Sequence, residues 1–232
     1  MRKIIYLSGS GRTATTMWSI LISSQLKIPN LSQSRDYFKA VSRKQECSCG
    51  QTAYKCFTTG RNYKHVKRTR LKNKISSYIF TASHLIHELQ GSGFTVDSSK
   101  SIKHLILIMI ITLRRPLVLE FIRSQDEINN SWRKRDRSEK FIQKMQNKGV
   151  ARRLILNFLA KAHIIEKQTY DFSYALKNPD NVINELISQH FPEMEKITNS
   201  GGYYEVVHST QHIFPPADPK YLKEIKEIRV IG

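Results

Sequence analysis

Apolar residues along the chain occur in short runs separated by polar and glycine-rich segments. Three of these runs combine β-branched, aromatic and other apolar residues, which is typical of buried strands: 4–7, 94–97 and 117–122. Asp97 ends the second run, and Arg123 directly follows the third. Because ligand groups gather at the carboxyl ends of strands in an open α/β sheet, Asp97 and the polar turn after it, with Lys100, are candidates for a binding site.

Other segments have the apolar spacing or the composition of helices. We predict helices over 17–22, 75–89, 102–109, 124–132 and 154–167, and the charged stretch 133–153 also favours a helix. Pro179 suits the start of a helix over 180–190, where proline is tolerated. We predict a loop over 201–214 and expect 221–231 to close the fold.

Small residues fill the segment between the first strand and the first helix. Residues 8–11 read Ser-Gly-Ser-Gly, and they precede Arg12 and a threonine-rich helix start. Such a loop lets backbone N–H groups and the helix dipole bind phosphate. A triphosphate-binding P-loop would read GxxxxGK[ST], but counting from Gly9 the second glycine position holds Ala14 and the lysine position holds Thr15. The segment therefore predicts an anion site whose cation, Arg12, lies inside the loop.

The net charge changes the picture of possible partners. The 232 residues include 38 Lys and Arg against 19 Asp and Glu, which gives a formal charge of +19. Cofactor phosphates would use only a few of these cations. The excess indicates an anionic partner such as an acidic glycan, a nucleic acid or a membrane surface, or alternatively a solvated basic surface.

No stretch has the character of a membrane span or a signal peptide. The longest apolar stretch, 105–122, is interrupted by two arginines and a proline, and we interpret it as two buried elements. The apolar run at the N-terminus is too short for a signal peptide. We therefore expect a cytoplasmic protein, with peripheral membrane contact left open.

Three cysteines lie close together in the sequence. Cys47, Cys49 and Cys56 have no fourth ligand at the normal spacing for zinc, and His65 is the nearest candidate. We interpret them as free thiols in a loop rather than as a metal site.

Four motifs together resemble the sulfotransferases that use 3′-phosphoadenosine 5′-phosphosulfate (PAPS), and in particular a bacterial group of them. The motifs are Arg-Thr-Ala-Thr-Thr at 12–16, Cys-Ser-Cys-Gly at 47–50 followed by Cys56, Val-Asp-Ser-Ser-Lys-Ser at 96–101, and Arg123 with Ser131 eight residues later. The resemblance implies one domain over 1–232, with a three-layer α/β fold and a central parallel sheet like that of P-loop nucleotide hydrolases. It also implies transfer of a sulfuryl group from PAPS to a hydroxyl or amine of a glycan, lipid or small molecule.

The resemblance assigns roles to individual residues. The loop and the helix start would hold the 5′-phosphate, Arg123 and Ser131 the 3′-phosphate, and His208 would lie over the cofactor. Arg12 and Lys100 would neutralise the charge that grows on the leaving phosphate and on the transferred group, so no metal is required. The cofactor-binding candidates are Ser10, Gly11, Arg12, Thr13, Ala14, Thr15, Thr16, Arg123, Ser131 and His208.

Two carboxylates are candidates for the general base. Asp36 stands near the position of the glutamate that is a candidate base in the family, and it is our first choice. Asp97 is the second choice, and it could instead hold Lys100. The departures from the family motifs at Ala14, after Arg123 and around His208 leave open a member that has lost turnover.

Two other functions are compatible with the sequence. A P-loop phosphotransferase or nucleotide hydrolase would need a Walker lysine, which is absent, and would prefer ATP with magnesium to adenosine 3′,5′-bisphosphate. A non-enzymatic, basic nucleic-acid binder would show steep salt dependence and no effect of PAPS. The chain lacks aromatic-rich stacking motifs, so no nucleic acid is favoured as a partner, and we expect an anionic or glycan-like acceptor.

Overall fold

A computed structural model describes the chain at residues 3–9, 13–28, 30–31, 34–36, 45–46, 50, 52, 79, 82, 93–198, 200–211 and 223–230. At residues 3, 207–211 and 223–225 it describes the backbone alone. The strands are β1 (Lys3–Gly9), β2 (Phe94–Asp97), β3 (Leu117–Ile122), β4 (Glu166–Asp171), β5 (Tyr203–Gln211) and β6 (Lys223–Arg229). The helices are α1 (Thr15–Gln25), α2 (Ile102–Thr112), α3 (Gln125–Arg133), α4 (Glu139–Lys161), α5 (Phe172–Lys177) and α6 (Pro179–His190).

The first four strands form one parallel sheet in the order β2-β1-β3-β4. Gly9 at the end of β1 lies opposite Phe121 of β3. Asn30 forms a parallel bridge to Val96 on the side of β2 away from β1, so the segment after α1 extends the sheet by one more position. Since all these strands run the same way, their carboxyl ends meet at one edge of the sheet.

Alternate residues of the strands pack on opposite faces of the sheet, as the two-residue period of a strand requires. Ile5 and Leu7 face a core formed with α1, α5, α6 and the β5–β6 hairpin. Ile4 and Tyr6 face a second core formed with α2 and α4. The molecule is therefore a three-layer α/β fold with a central parallel sheet, and this part of the sequence prediction is confirmed.

A row of aromatic rings crosses the first of these faces. Trp18 of α1 stacks on Phe121 with ring centroids 4.9 Å apart, and Phe121 stacks on Tyr170 of β4 at 5.8 Å. Such pairs stabilise the core beyond the burial of their area. Truncation of Phe121 to alanine would lower the free energy of unfolding by about 3–5 kcal/mol, and it would weaken the packing of α1 on the sheet.

Two predicted segments differ from the structure. The helix predicted over 154–167 ends at Lys161, and β4 begins at Glu166. Only Tyr170 of β4 is buried, so this strand at the end of the sheet lacks the apolar run that identifies its neighbours. The loop predicted over 201–214 is also wrong, since β5 occupies Tyr203–Gln211 and pairs with β6 in an antiparallel hairpin.

The β5–β6 hairpin closes over α1. Ser24 donates to the carbonyl of Glu205 at 3.0 Å, and the N–H of Val230 donates to the carbonyl of Gly202 at 2.8 Å. Gly202 has φ +76, and a Cβ there would lie 2.6 Å from the Val230 carbonyl oxygen, so the turn into β5 requires glycine. Within the described ranges, no helix is both long and apolar enough to cross a membrane.

Candidate functional site

The connections of the sheet create a crevice at its carboxyl edge. The chain leaves β1 toward β2 on one side, and it leaves β3 toward β4 on the other. Ligands of open α/β sheets bind at such a reversal, outside the carboxyl ends of the strands. The crevice therefore lies between the end of β1, which leads into the glycine loop, and the end of β3, which leads to Arg123.

Helix α1 begins at this crevice without a side-chain cap. Its N-cap residue, Ala14, is left-handed at φ 45 and ψ 28, and no acidic residue lies in the first turn. The first N–H groups of the helix and its dipole are therefore available to an anion. Thr13 packs so closely on Gly9 that a Cβ at Gly9 would overlap its hydroxyl, so glycine is needed where β1 turns into the loop.

Buried hydroxyls without partners gather at the same edge. Ser8 near the end of β1, Thr15 at the start of α1 and Ser98 after β2 each have a buried oxygen with no hydrogen-bond partner among the residues that the structure describes. Buried polar groups are nearly always paired. Three orphaned hydroxyls beside one crevice are consistent with a polar ligand. Ser10, Gly11 and Arg12 lie outside the described residues.

Asp97 is the centre of a buried polar cluster below the crevice. Its carboxylate accepts from the hydroxyl of Ser34 and from the Ser99 N–H at 2.6 Å. Because the single hydroxyl proton of Ser34 goes to Asp97, His104 Nε2 is left to donate to the Ser34 oxygen, 2.7 Å away. Asp97 is 0% exposed. We therefore interpret it as a positioning group rather than as a base that meets an acceptor.

This cluster places Asp36 beside the turn that follows β2. Ser34 is tied to Asp97, and the Arg35 N–H donates to the Ser99 hydroxyl at 3.0 Å. Asp36 then accepts from Arg35 Nε at 3.0 Å and keeps 32% of its side chain exposed. Of the two candidate bases, Asp36 is the one that solvent and an acceptor can reach.

Lys100 lies in the same turn, in a strained conformation. Its φ of +58 is left-handed, a region that costs a residue with a Cβ about 1–2 kcal/mol. The next residue, Ser101, both donates to and accepts from the Tyr6 hydroxyl, at 2.8 and 2.9 Å. Burial, and secondly the nearby charge of Asp97, raises the pKa of Tyr6 well above its usual value, so this anchor stays protonated.

Arg123 and Ser131 lie on the far side of the crevice. The Arg123 guanidinium lies 4.9 Å from the centre of the Phe172 ring, and its Nε is 3.7 Å from the Glu127 carboxylate. Ser131 follows Glu127 by four residues on α3, so the two share a helix face. The position of Ser131 is thus compatible with joint contact to a ligand held by Arg123.

Arg152 was not among the predicted site residues, and it reaches the end of β1 from α4. Its Nη1 donates to the carbonyl of Gly9, and burial lowers the pKa of this guanidinium. Arg152 reads as part of a charged surface run, but it precedes the fully buried Leu156 by one helical turn. That spacing was the signal available in the sequence for an inward-facing arginine.

Arg152 lies in a cleft of about 60 Å³ between β3, α3 and α4. Arg123, Arg153, Glu120 and Trp132 also line it. Glu120 is buried, and its carboxylate is paired with Lys167 at 2.7 Å and with Arg153 at 3.7 Å. The cleft therefore joins cations from the end of β3 and from α4.

Several predicted residues remain untested. His208 lies in β5, but its side chain is not among those described, and Cys47, Cys49 and Cys56 lie outside the described residues. In the described part of the chain, no group of His, Cys, Asp and Glu could hold a metal ion.

Comparison with known proteins identifies no family. No family model and no curated protein matches the chain. One similar solved structure is described as "a putative kinase from chloroflexus aurantiacus j-10-fl", with a TM-score of 0.46, 16% identity, and coverage of 83% of this chain and 97% of that one. At this level of similarity the match carries no argument about function.

Proposed function

We propose that the protein is a PAPS-dependent sulfotransferase, which moves a sulfuryl group from PAPS to a hydroxyl or amine of an acceptor. One observation carries the proposal: the parallel sheet brings the uncapped start of α1, the turn with Lys100 and the strand end with Arg123 to one crevice. These segments carry three of the four motifs that resemble the family, and the fourth, at 47–50, is not described by the structure except at Gly50.

The residues around the crevice suit a doubly phosphorylated adenosine. The open N-terminus of α1, with Thr15 and Thr16, would hold the 5′-phosphate through N–H and hydroxyl donors. Arg123 and Ser131 would hold the 3′-phosphate. The orphaned hydroxyls of Ser8 and Ser98 fit a ligand rich in acceptor oxygens.

The chemistry needs charge neutralisation and one proton acceptor. As the acceptor oxygen bonds to sulfur, the bond from sulfur to the bridging oxygen breaks, and negative charge builds on the 5′-phosphate. Lys100, with Arg12 as the loop cation, would stabilise that charge. Asp36 would take the proton from the acceptor, and Asp97 would hold the Ser99–Lys100 turn in place through its bond to the Ser99 N–H.

Sulfuryl transfer can be measured with labelled PAPS and a panel of acidic glycans, lipids and small alcohols. We expect labelled product with at least one acceptor. The rate of transfer should fall at least about 100-fold in Asp36→Asn, because a positioned general base contributes a factor of that size or more to the rate. Asp126→Asn is the matched control, since Asp126 is exposed in the first turn of α3.

Three results would contradict the proposal. The first is transfer from the γ-phosphate of ATP with no transfer from PAPS. The second is an Asp36→Asn variant as active as Asp126→Asn. The third is salt-sensitive binding of nucleic acid together with no interaction with PAPS, which would favour a basic binding protein.

A further inference from the structure

The cleft around Arg152 contains more hydrogen-bond donors than its protein surroundings satisfy. Arg152 is half-buried, and among the described residues its hydrogen-bond acceptor is one neutral carbonyl, that of Gly9. A guanidinium has five N–H donors. The indole Nε1 of Trp132 is also buried, and within the described ranges it has no hydrogen-bond partner. Both residues line the same cleft.

The charge in the cleft favours an anion. Glu120 is the buried carboxylate of the wall, but Lys167 and Arg153 already pair with it. Arg123 is 3.7 Å from Glu127, which is 42% exposed. Arg152 feels the charge of Glu120, but among the described residues it forms no direct ion pair with a carboxylate. The cleft, with a volume of about 60 Å³, has room for a small oxyanion group.

The register of the sheet places this cation close to Arg123. Arg152 is anchored at the carbonyl of Gly9, which lies opposite Phe121. Arg123 follows Phe121 by two residues, which is about 7 Å along a strand. The cleft includes Arg123, but no residue of 13–16 or 97–100 lines it. Its cations therefore belong with Arg123 rather than with the 5′ end of the site.

We propose that the α3–α4 cleft is a second half of the 3′-phosphate site, in which Arg152 and the Trp132 indole N–H bind the phosphate together with Arg123. This inference rests on the proposed function. Arg152 reaches this site on α4, from a part of the chain far from Arg123 in the sequence.

The test compares two ligands that differ in the 3′-phosphate alone. Calorimetry measures binding of adenosine 3′,5′-bisphosphate and of adenosine 5′-monophosphate to the wild type and to Arg152→Gln. We expect Arg152→Gln to weaken bisphosphate binding about ten- to a hundredfold, the effect of losing a charged hydrogen-bond donor. Binding of the monophosphate should change less than threefold.

Further variants separate binding from folding. Trp132→Phe keeps the ring and removes the N–H, and it should weaken bisphosphate binding about two- to tenfold without affecting the monophosphate. Arg152→Lys should restore part of the affinity. Arg133→Gln is the matched control, because Arg133 lies on α3 outside the cleft and pairs with Glu139 at 2.8 Å.

Each contrary outcome is distinct. If the wild type binds neither adenosine 3′,5′-bisphosphate nor PAPS, the proposed function fails, and this inference fails with it. If the wild type binds the bisphosphate but Arg152→Gln binds it equally well, the cleft is not part of the site and the proposed function stands. Equal weakening of both ligands would show that Arg152 acts through Gly9 on the loop, which also overturns the inference.

Discussion

Helices α1 and α3 both begin at the carboxyl edge of the sheet, and their N-termini differ in capping. Helix α3 has a capping box, in which the Ser124 hydroxyl accepts from the Glu127 N–H and the Glu127 carboxylate accepts from the Ser124 N–H. Helix α1 begins at the left-handed Ala14, with no side-chain cap and no acidic residue in its first turn. The dipole of α3 is thus neutralised within the protein, whereas that of α1 is left for a ligand.

The comparison separates two tasks that strand–helix junctions can perform. At α3 the polar residues stabilise the fold and hold Arg123 through Glu127. Helix α1 lacks a side-chain N-cap, which typically adds about 1 kcal/mol to the stability of a protein. We infer that the missing stability reflects binding, because orphaned hydroxyls lie at Ser8 and Thr15 and not at Ser124.

The largest effect on ligand binding is expected when the first turn of α1 is made acidic like that of α3. Thr16→Glu places a carboxylate where the 5′-phosphate would bind. Repulsion of about 4 kcal/mol at 4 Å would weaken binding of adenosine 3′,5′-bisphosphate about a thousandfold. Titration calorimetry measures this, with Thr16→Gln as the uncharged control. Equal affinities of the two variants would refute a ligand at this terminus.

The next largest effect concerns the lysine beside the open terminus. Lys100→Met should lower the rate of sulfuryl transfer about a hundredfold, since it removes one group that stabilises charge in the transition state. Binding of the bisphosphate product should change far less. Lys103→Met is the control, because Lys103 is exposed in the first turn of α2. If both variants lose the same activity, Lys100 has no special role.

A change at the capped N-terminus of α3 should alter the stability of the protein rather than its affinity for the ligand. Ser124→Ala removes the cap of α3 and should reduce the free energy of unfolding by about 1 kcal/mol. Urea denaturation measures the change. An unchanged free energy would mean that the capping box contributes nothing.

Substitution of Ala14, the N-cap residue of α1, should raise the free energy of unfolding rather than lower it. Ala14→Gly removes the cost of a Cβ at φ 45, and we expect a gain in stability of about 0.5–1 kcal/mol. Ala175→Gly, at a buried position within α5, should instead destabilise by about 1 kcal/mol. Urea denaturation of both variants tests the sign, and a loss of stability in Ala14→Gly would be inconsistent with strain at this cap.

At the N-terminus of a third helix, α6, we expect a smaller effect on stability that depends on pH. Burial alone would raise the pKa of Asp180, in the first turn of α6, but hydrogen bonds from Ser200 and Tyr204 outweigh it and lower the pKa below its usual value. The carboxylate therefore contributes stability above its unfolded pKa, and this is lost as the pH falls through the folded value. Asp180→Asn should be less stable than the wild type at neutral pH, and the difference should shrink in acid. A difference independent of pH would contradict this.

Much of the sheet followed from sequence patterns, because buried parallel strands are continuous apolar runs. The segments 94–97 and 117–122 were predicted with the bounds that β2 and β3 have. β4 was missed because it reads Glu-Lys-Gln-Thr-Tyr-Asp and buries only Tyr170. β5 was missed because its glycine and histidine neighbours resemble a loop.

The candidate site could be predicted only in part, for a related reason. Motif residues next to strand ends, such as Lys100 and Arg123, can be located once the strands are known. Arg152 lies 29 residues beyond Arg123 in the sequence, and its bond to Gly9 depends on how α4 packs on the sheet. The Ser34–His104 pair likewise depends on tertiary contact.

Competition binding tests the central claim most directly. Adenosine 3′,5′-bisphosphate and ATP with magnesium are each titrated against labelled PAPS on the wild-type protein. The open terminus of α1 together with Arg123 predicts that the bisphosphate displaces PAPS at concentrations at least a hundredfold lower than ATP does, as the loss of about 3 kcal/mol of 3′-phosphate contacts implies. Tighter binding of ATP with magnesium would contradict the assignment of the crevice to a 3′-phosphorylated nucleotide.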